Sequence, residues 1–197
     1  MNKLKAHMAT HDLWLPPMQQ LLFRDLLHVF SYPGQVRANH AAEPMTWLAL
    51  LAALCDGEVG LADPHGMIPA EQWPMLEAVP GTPEQAAFIV ADGGRALDFE
   101  PRLGSLESPE TGATLLLRVA ALGEARAGAV QLSLSGPGVR DRTGLAVTGL
   151  DPSWLKARAE WVAAFPLGVD LLLCDDCRFA ALPRTTQVQQ RDVLWVM

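Results

Sequence analysis

Charge is scarce in this sequence: Asp, Glu, Lys and Arg make up 19% of 197 residues, few for a surface that meets only water. Lysine is scarcer still, confined to Lys3, Lys5 and Lys156. Pyridoxal-phosphate catalysis needs a buried lysine for its Schiff base, and none of these positions offers one: two fall on an N-terminal tail and the third on a predicted solvated helix face. Three cysteines, an odd number with no secretory leader before them, make no disulfide framework, so reduced thiols are expected. No run of Lys or Arg offsets a net charge of -7, which argues against nucleic acid as a partner. The longest apolar run, Trp47 to Cys55, is far short of the roughly 20 residues that span a bilayer. His7, His11 and Asp12 interrupt any apolar core behind Lys3 and Lys5, so no signal peptide is read and the expected location is the cytoplasm.

What is present is an even spread of hydrophobic residues, 50% of the chain, punctuated by 16 Gly and 15 Pro. That predicts one domain behind a flexible tail at residues 1–13. Met18, Leu22, Leu26, Val29 and Phe30 recur at helical spacing after Pro16, and the helix they predict ends at the Ser31–Gly34 turn SYPG. A second, almost wholly apolar helix follows Pro44 and stops at Asp56 and Gly57. Glu58 to Ala62 and Ala86 to Ala91 read as strands, with a short helix broken by Pro74 between them. From Asp92 to Gly112 the composition is that of a surface connection.

Thr114 to Leu122 and Gly128 to Ser135 flank the turn-like GEARAG, which predicts an antiparallel hairpin. Asp151 caps a helix that Pro152 opens and that runs to about Ala164, with Trp154, Leu155, Trp161 and Val162 facing inward. A second hairpin is predicted across Asp175 and Asp176. Together these give an α/β fold, a mixed β-sheet with flanking helices, more antiparallel toward the C-terminus.

Chemistry is harder to find. Cys174 and Cys177 have the spacing of a redox or zinc half-site, but no second pair completes four ligands and the pair flanks a turn instead of opening a helix, so a structural role is preferred. His7, His11, His28, His40 and His65 show no metal-binding spacing. The SGPG at Ser135 to Gly138 lacks the GK[ST] ending of a P-loop and reads as a plain turn, although Arg140 and Arg142 follow it. Arg184, Thr185 and Thr186, just past the last predicted strand, are candidates for holding a phosphonate or phosphate, as is Arg140, against the plainer reading of strand termination. Six tryptophans are many for this length, and those not needed for the core suit a protein interface.

The segments FRDLLHVFSYPG, GATLLLRVAAL, LSLSGPGV, FPLGVDLLL and LPRTT occur in the order seen in the PhnH family, and the chain resembles that family from about Phe23 to Thr186. It departs at the ends, in a longer tail before Trp14 and an extension from Gln187 to Met197, neither of which touches these motifs. The resemblance implies a fold similar to the pyridoxal-phosphate-dependent transferases without the cofactor, and a homodimer in isolation. It also implies membership with PhnG, PhnI and PhnJ in the carbon-phosphorus lyase system, which with PhnL forms ribose 1-phosphonate 5-triphosphate from phosphonate and nucleotide triphosphate. It transfers no catalytic residue or metal ligand to this chain.

Overall fold

The computed structural model describes residues 13–40, 45–124 and 126–191. The expected tail, with Lys3, Lys5, His7 and His11, lies almost wholly outside them. In chain order the elements are α1 (Pro16–Ser31), β1 (Arg37–Ala38), α2 (Thr46–Leu54), β2 (Gly60–Ala62), α3 (Trp73–Leu76), β3 (Val79–Pro80) and β4 (Phe88–Asp92). A 3-10 turn (Pro109–Thr111) precedes β5 (Thr114–Arg118), β6 (Ala121–Leu122), β7 (Ala129–Ser135) and β8 (Thr143–Thr148). Then follow α4 (Pro152–Trp161), β9 (Asp170–Cys174), β10 (Arg178–Leu182) and β11 (Gln187–Arg191).

A seven-stranded mixed sheet, ordered β1-β10-β9-β5-β4-β2-β3, forms the middle layer, and a four-stranded antiparallel sheet, ordered β11-β7-β8-β6, forms part of an outer one. Because successive side chains of a strand point to opposite faces, the middle sheet feeds two cores. Ile89, Ala91, Leu115, Leu117, Leu171, Leu173, Ala180 and Leu182 pack toward the small sheet and α4, against Leu132, Leu145, Val147 and Trp154. Val90, Leu116, Leu172, Phe179 and Ala181 pack the other way, against Leu22, Leu26 and Val29 of α1 and Leu48 and Leu51 of α2.

The predicted helices over 16–31 and from Thr46 form as expected, the first ending where Tyr32 donates its N–H to the His28 carbonyl. Pro74 sits in the first turn of α3 and opens that helix instead of breaking it, since the N–H it lacks would be unpaired there anyway. Asp151 accepts the Ser153 N–H at 2.9 Å and caps α4 as expected. The β9–β10 hairpin also forms, Phe179 opposite Cys174.

The first predicted hairpin does not. The run from Thr114 to Leu122 breaks after Arg118: β5 lies between β4 and β9, parallel to both, while β6 crosses to the small sheet and pairs with β8. Three consecutive leucines, Leu115 to Leu117, are buried on both faces, the signature of a central parallel strand. The alternating run does form a hairpin, but its partner is β8, across SGPGVRDR. Nor is Gln187 to Arg191 an extension apart from the motifs, since it pairs with β7 from Ser135 to Gln131.

The connection from Asp92 to Gly112 is pinned by the tryptophans of α4: Trp154 Nε1 donates to the Arg95 carbonyl at 2.8 Å and Trp161 Nε1 to Glu100 at 2.9 Å. The expectation that tryptophans not needed for the core meet a partner is thereby narrowed, among the described ones, to Trp14 and Trp73. Trp47, Trp154 and Trp161 are buried and Trp14 and Trp73 half-buried; the exposed apolar side chains are others, among them Phe23, Leu27, Leu106 and Phe165.

Candidate functional site

The motif segments, far apart in sequence, meet in space. The SGPG turn packs on the SYPG turn so closely that a Cβ on Gly138, which sits at φ +77°, would collide with the Ser31 carbonyl oxygen. On the other side, a Cβ on Gly136 would lie 2.9 Å from the Thr185 carbonyl oxygen. Gly112, ahead of β5, faces the Gly168 carbonyl and the Arg184 guanidinium at distances that admit no side chain.

Arg184 is the pin of this arrangement. Its Nη2 donates to Asp170 Oδ2 at 2.7 Å, its Nη1 to the Pro109 carbonyl at 2.7 Å, and its own N–H to Asp170 Oδ1 at 2.7 Å. The start of β9, the end of β10 and the entry to β5 are thus held by one planar, five-donor group. Thr185 is exposed beside it, and Thr186 is buried with its Oγ1 unpartnered. All three line one cleft of about 420 Å³; Arg140, exposed in the β7–β8 connection, does not line it.

Arg158 shares that cleft, and sequence reasoning missed it. It is 3% exposed, and its Nη2 donates to the carbonyls of Pro183 at 2.7 Å and Thr186 at 2.9 Å. Desolvation brings its pKa down to about 10, against the pull of Asp170. A lone arginine on a helix reads as solvated. The signal that would have found it is spacing, because Trp154, Arg158 and Trp161 stand at i, i+4 and i+7 on one face.

The carboxyl ends of the parallel strands, where open α/β sheets usually bind ligands, carry a smaller cleft of about 260 Å³ lined by Asp92, Arg118 and Asp176. Arg118 and Asp176 pair across it at 3.2 Å, both half-exposed. Nearby, the buried Asp175 ties the sheets together: Oδ1 accepts from the N–H of Cys177 at 3.0 Å and of Arg178 at 2.7 Å, and Oδ2 from the N–H of Leu122 at 2.9 Å. Arg178 Nη2 pairs with Asp175 Oδ2 at 2.9 Å.

The two cysteines differ in environment. Cys174 is packed among the leucines under α1 and α2, where burial pushes its thiol far above the ordinary range, while Cys177 is exposed. Among the described residues no group of three or more His, Cys, Asp or Glu could hold a metal ion. The described histidines contact separate partners: His28 Gln35, His40 Asp25, and His65 both Asp98 and the Asp92 N–H. Lys156 is exposed on α4, as predicted. No helix among the described residues is long and apolar enough to cross a membrane.

Comparison with known proteins matches the constellation of motifs. The model of the family described as bacterial phosphonate metabolism protein (PhnH) matches residues 13–189. HtxG of Stutzerimonas stutzeri, named as a candidate C-P lyase subunit, is 43% identical over 180 residues, 91% of this chain and 90% of that protein. The PhnH subunit of alpha-D-ribose 1-methylphosphonate 5-triphosphate synthase from Rhizobium meliloti (strain 1021) is 31% identical over 184 residues, 87% of this chain and 90% of that protein. The chain belongs to the PhnH family of bacterial phosphonate metabolism proteins.

Proposed function

We propose that this chain is a subunit of a carbon-phosphorus lyase system for phosphonate catabolism, required for forming ribose 1-phosphonate 5-triphosphate from phosphonate and nucleotide triphosphate, and that its contribution is structural. The observation that carries this reading is the use made of the motif residues. Arg184, Asp170, Gly112 and Gly138, drawn from four separate motifs, bind chain segments to one another. Family membership supplies the setting, since relatives at 43% and 31% identity are named for C-P lyase and for the triphosphate synthase.

In this reading the protein works in the cytoplasm, forms a homodimer in isolation, and joins PhnG, PhnI and PhnJ, with PhnL needed for activity. The exposed Phe23, Leu27 and Leu106 support a surface that meets other chains. The fold is taken as related to the pyridoxal-phosphate-dependent transferases without their cofactor; the exposure of Lys156 bears on the cofactor alone, since a Schiff base needs a buried lysine. Co-expression of the tagged chain with PhnG, PhnI and PhnJ tests the proposal: a stable complex is expected, and elution of the chain alone under mild conditions would remove its support.

A second reading is direct binding of an anionic phosphonate or nucleotide intermediate by Arg184, Thr185, Thr186 or Arg140. The shared cleft of the first three favours it.

A further inference from the structure

The seam between α4 and β11 carries two adjoining clefts whose lining differs in charge from that of the clefts at the strand ends and beside α2. One, of about 470 Å³, is lined by Ser153, Lys156, Arg158 and Gln190 among others; the second, of about 420 Å³, by Arg158, Phe165, Arg184, Thr185 and Thr186 among others. Arg158 lines both. Among the described residues no Asp or Glu lines either one, in a chain of net charge -7, whereas Asp92 and Asp176 line the cleft at the strand ends and Asp56 and Glu77 another beside α2.

Arg158 makes no ion pair with a described residue, and the attraction of Asp170, which is already paired with Arg184, offsets only part of its desolvation. Its two hydrogen bonds reach neutral carbonyls and its Nε has no partner. Thr186, 2% exposed, has an Oγ1 without a partner as well. Buried cations are ordinarily neutralised, and buried donors ordinarily satisfied, because desolvation otherwise goes uncompensated. A tetrahedral oxyanion brings both remedies: negative charge, and several acceptor oxygens that match a guanidinium fork.

We propose that the Arg158–Thr186 corner of this seam binds a tetrahedral phosphorus oxyanion, the PO3 group of a phosphonate or of a terminal phosphate, with Lys156 and Arg184 adding positive field from either side. This rests on the second reading above and moves its centre from Arg184, whose donors are engaged with Asp170 and backbone carbonyls, to Arg158. The unpartnered atoms are closed off from solvent, so binding turns both side chains toward the cleft they line. At neutral pH the guanidinium keeps its charge, since its pKa falls only to about 10.

The test is calorimetric titration of the purified full chain with methylphosphonate in one arm and ATP in another, in phosphate-free buffer of fixed ionic strength. Saturable binding is expected in at least one arm, and which arm saturates separates a phosphonate from a nucleotide source. Arg158→Gln should weaken it by roughly ten- to a hundredfold and Thr186→Val by about fivefold. The Thr186 variant should fold as well as the parent, because the hydroxyl it loses has no partner. Should Arg158→Gln fail to fold, Thr186→Val and Lys156→Ala decide. No saturation in either arm, or affinities that these variants leave unchanged, would overturn the site. Binding by the isolated chain is read independently of assembly, so either result leaves the subunit role to be judged by co-purification.

Discussion

At the scale of single residues, Arg184 and Asp175 do the work of fasteners, and both yield measurable expectations. Truncating Arg184 to Ala strips the guanidinium from Asp170 Oδ2 and from the Pro109 carbonyl, leaving only the backbone N–H groups of Arg184 on Asp170 Oδ1 and of Gly112 on Pro109, in a setting where the side chains of the pair are only 13% and 20% exposed. A loss of about 2–4 kcal/mol in urea unfolding is expected, with Arg184→Lys restoring part of it through charge but not through the fork. An unchanged midpoint would mean that the contacts contribute nothing net.

Asp175 makes a prediction in pH. Burial alone would raise its carboxyl, but the N–H groups of Cys177 and Leu122 and the Arg178 guanidinium outweigh that and hold it below the usual carboxylate value. A carboxyl depressed on folding stabilises the native state above its unfolded pKa of about 4, and that stabilisation drains away as pH falls through the lower folded value. Asp175→Asn should therefore cost about 1–3 kcal/mol at pH 7 and flatten the acid slope of stability below about pH 4. Unfolding titrations at several pH values decide it, and an unaltered slope would assign the acid sensitivity elsewhere.

The cysteines make a third prediction. Burial, helped by Asp56, pushes the Cys55 thiol up to about 12, and Cys174 is fully enclosed. In the native protein at pH 8 a thiol reagent should label Cys177 alone, and slowly, since desolvation and Asp175 raise its pKa too. Rapid labelling of Cys174 before unfolding would revive the redox reading of the pair. Residue identity alone had suggested Arg184 as an anion ligand; its partners, 14 and 75 positions away along the chain, were invisible to any local pattern.

Among the elements, those punctuated by local chemistry were legible: the proline-opened α1, the Asp151-capped α4 and the aspartate turn between β9 and β10. Strand pairing was not. The run 114–122 and the run 128–135 are neighbours in sequence, yet the first divides between two sheets because β5 finds β4 and β9, whose registers no turn near it encodes. A leucine triplet buried on both faces was the available clue. The SGPG turn offers a test at this scale. Gly138→Ala places a methyl against the Ser31 carbonyl at a positive φ, and should lower stability by at least about 1–2 kcal/mol, separating the small sheet from the end of α1. A normal melting temperature would mean that the two turns part without consequence.

For the molecule as a whole, the layering of helices α1 and α2, a seven-stranded sheet, and a small sheet with α4 explains why the motifs are spread from residue 23 to 186 yet act together. They mark where layers meet. The candidate cleft lies where the C-terminal strand, the last motif and α4 converge, and sequence reading reached only its Arg184–Thr186 edge, since the buried Arg158 belongs to no motif. Proposed as a partner in phosphonate breakdown, the chain has its central claim tested most directly by exchange. A Stutzerimonas stutzeri strain lacking HtxG, the relative 43% identical to this chain, is supplied with it and grown on methylphosphonate as sole phosphorus source. Growth restored to the level given by HtxG itself is the predicted result; no growth, with the chain folded and expressed and the HtxG control growing, would contradict the proposed role.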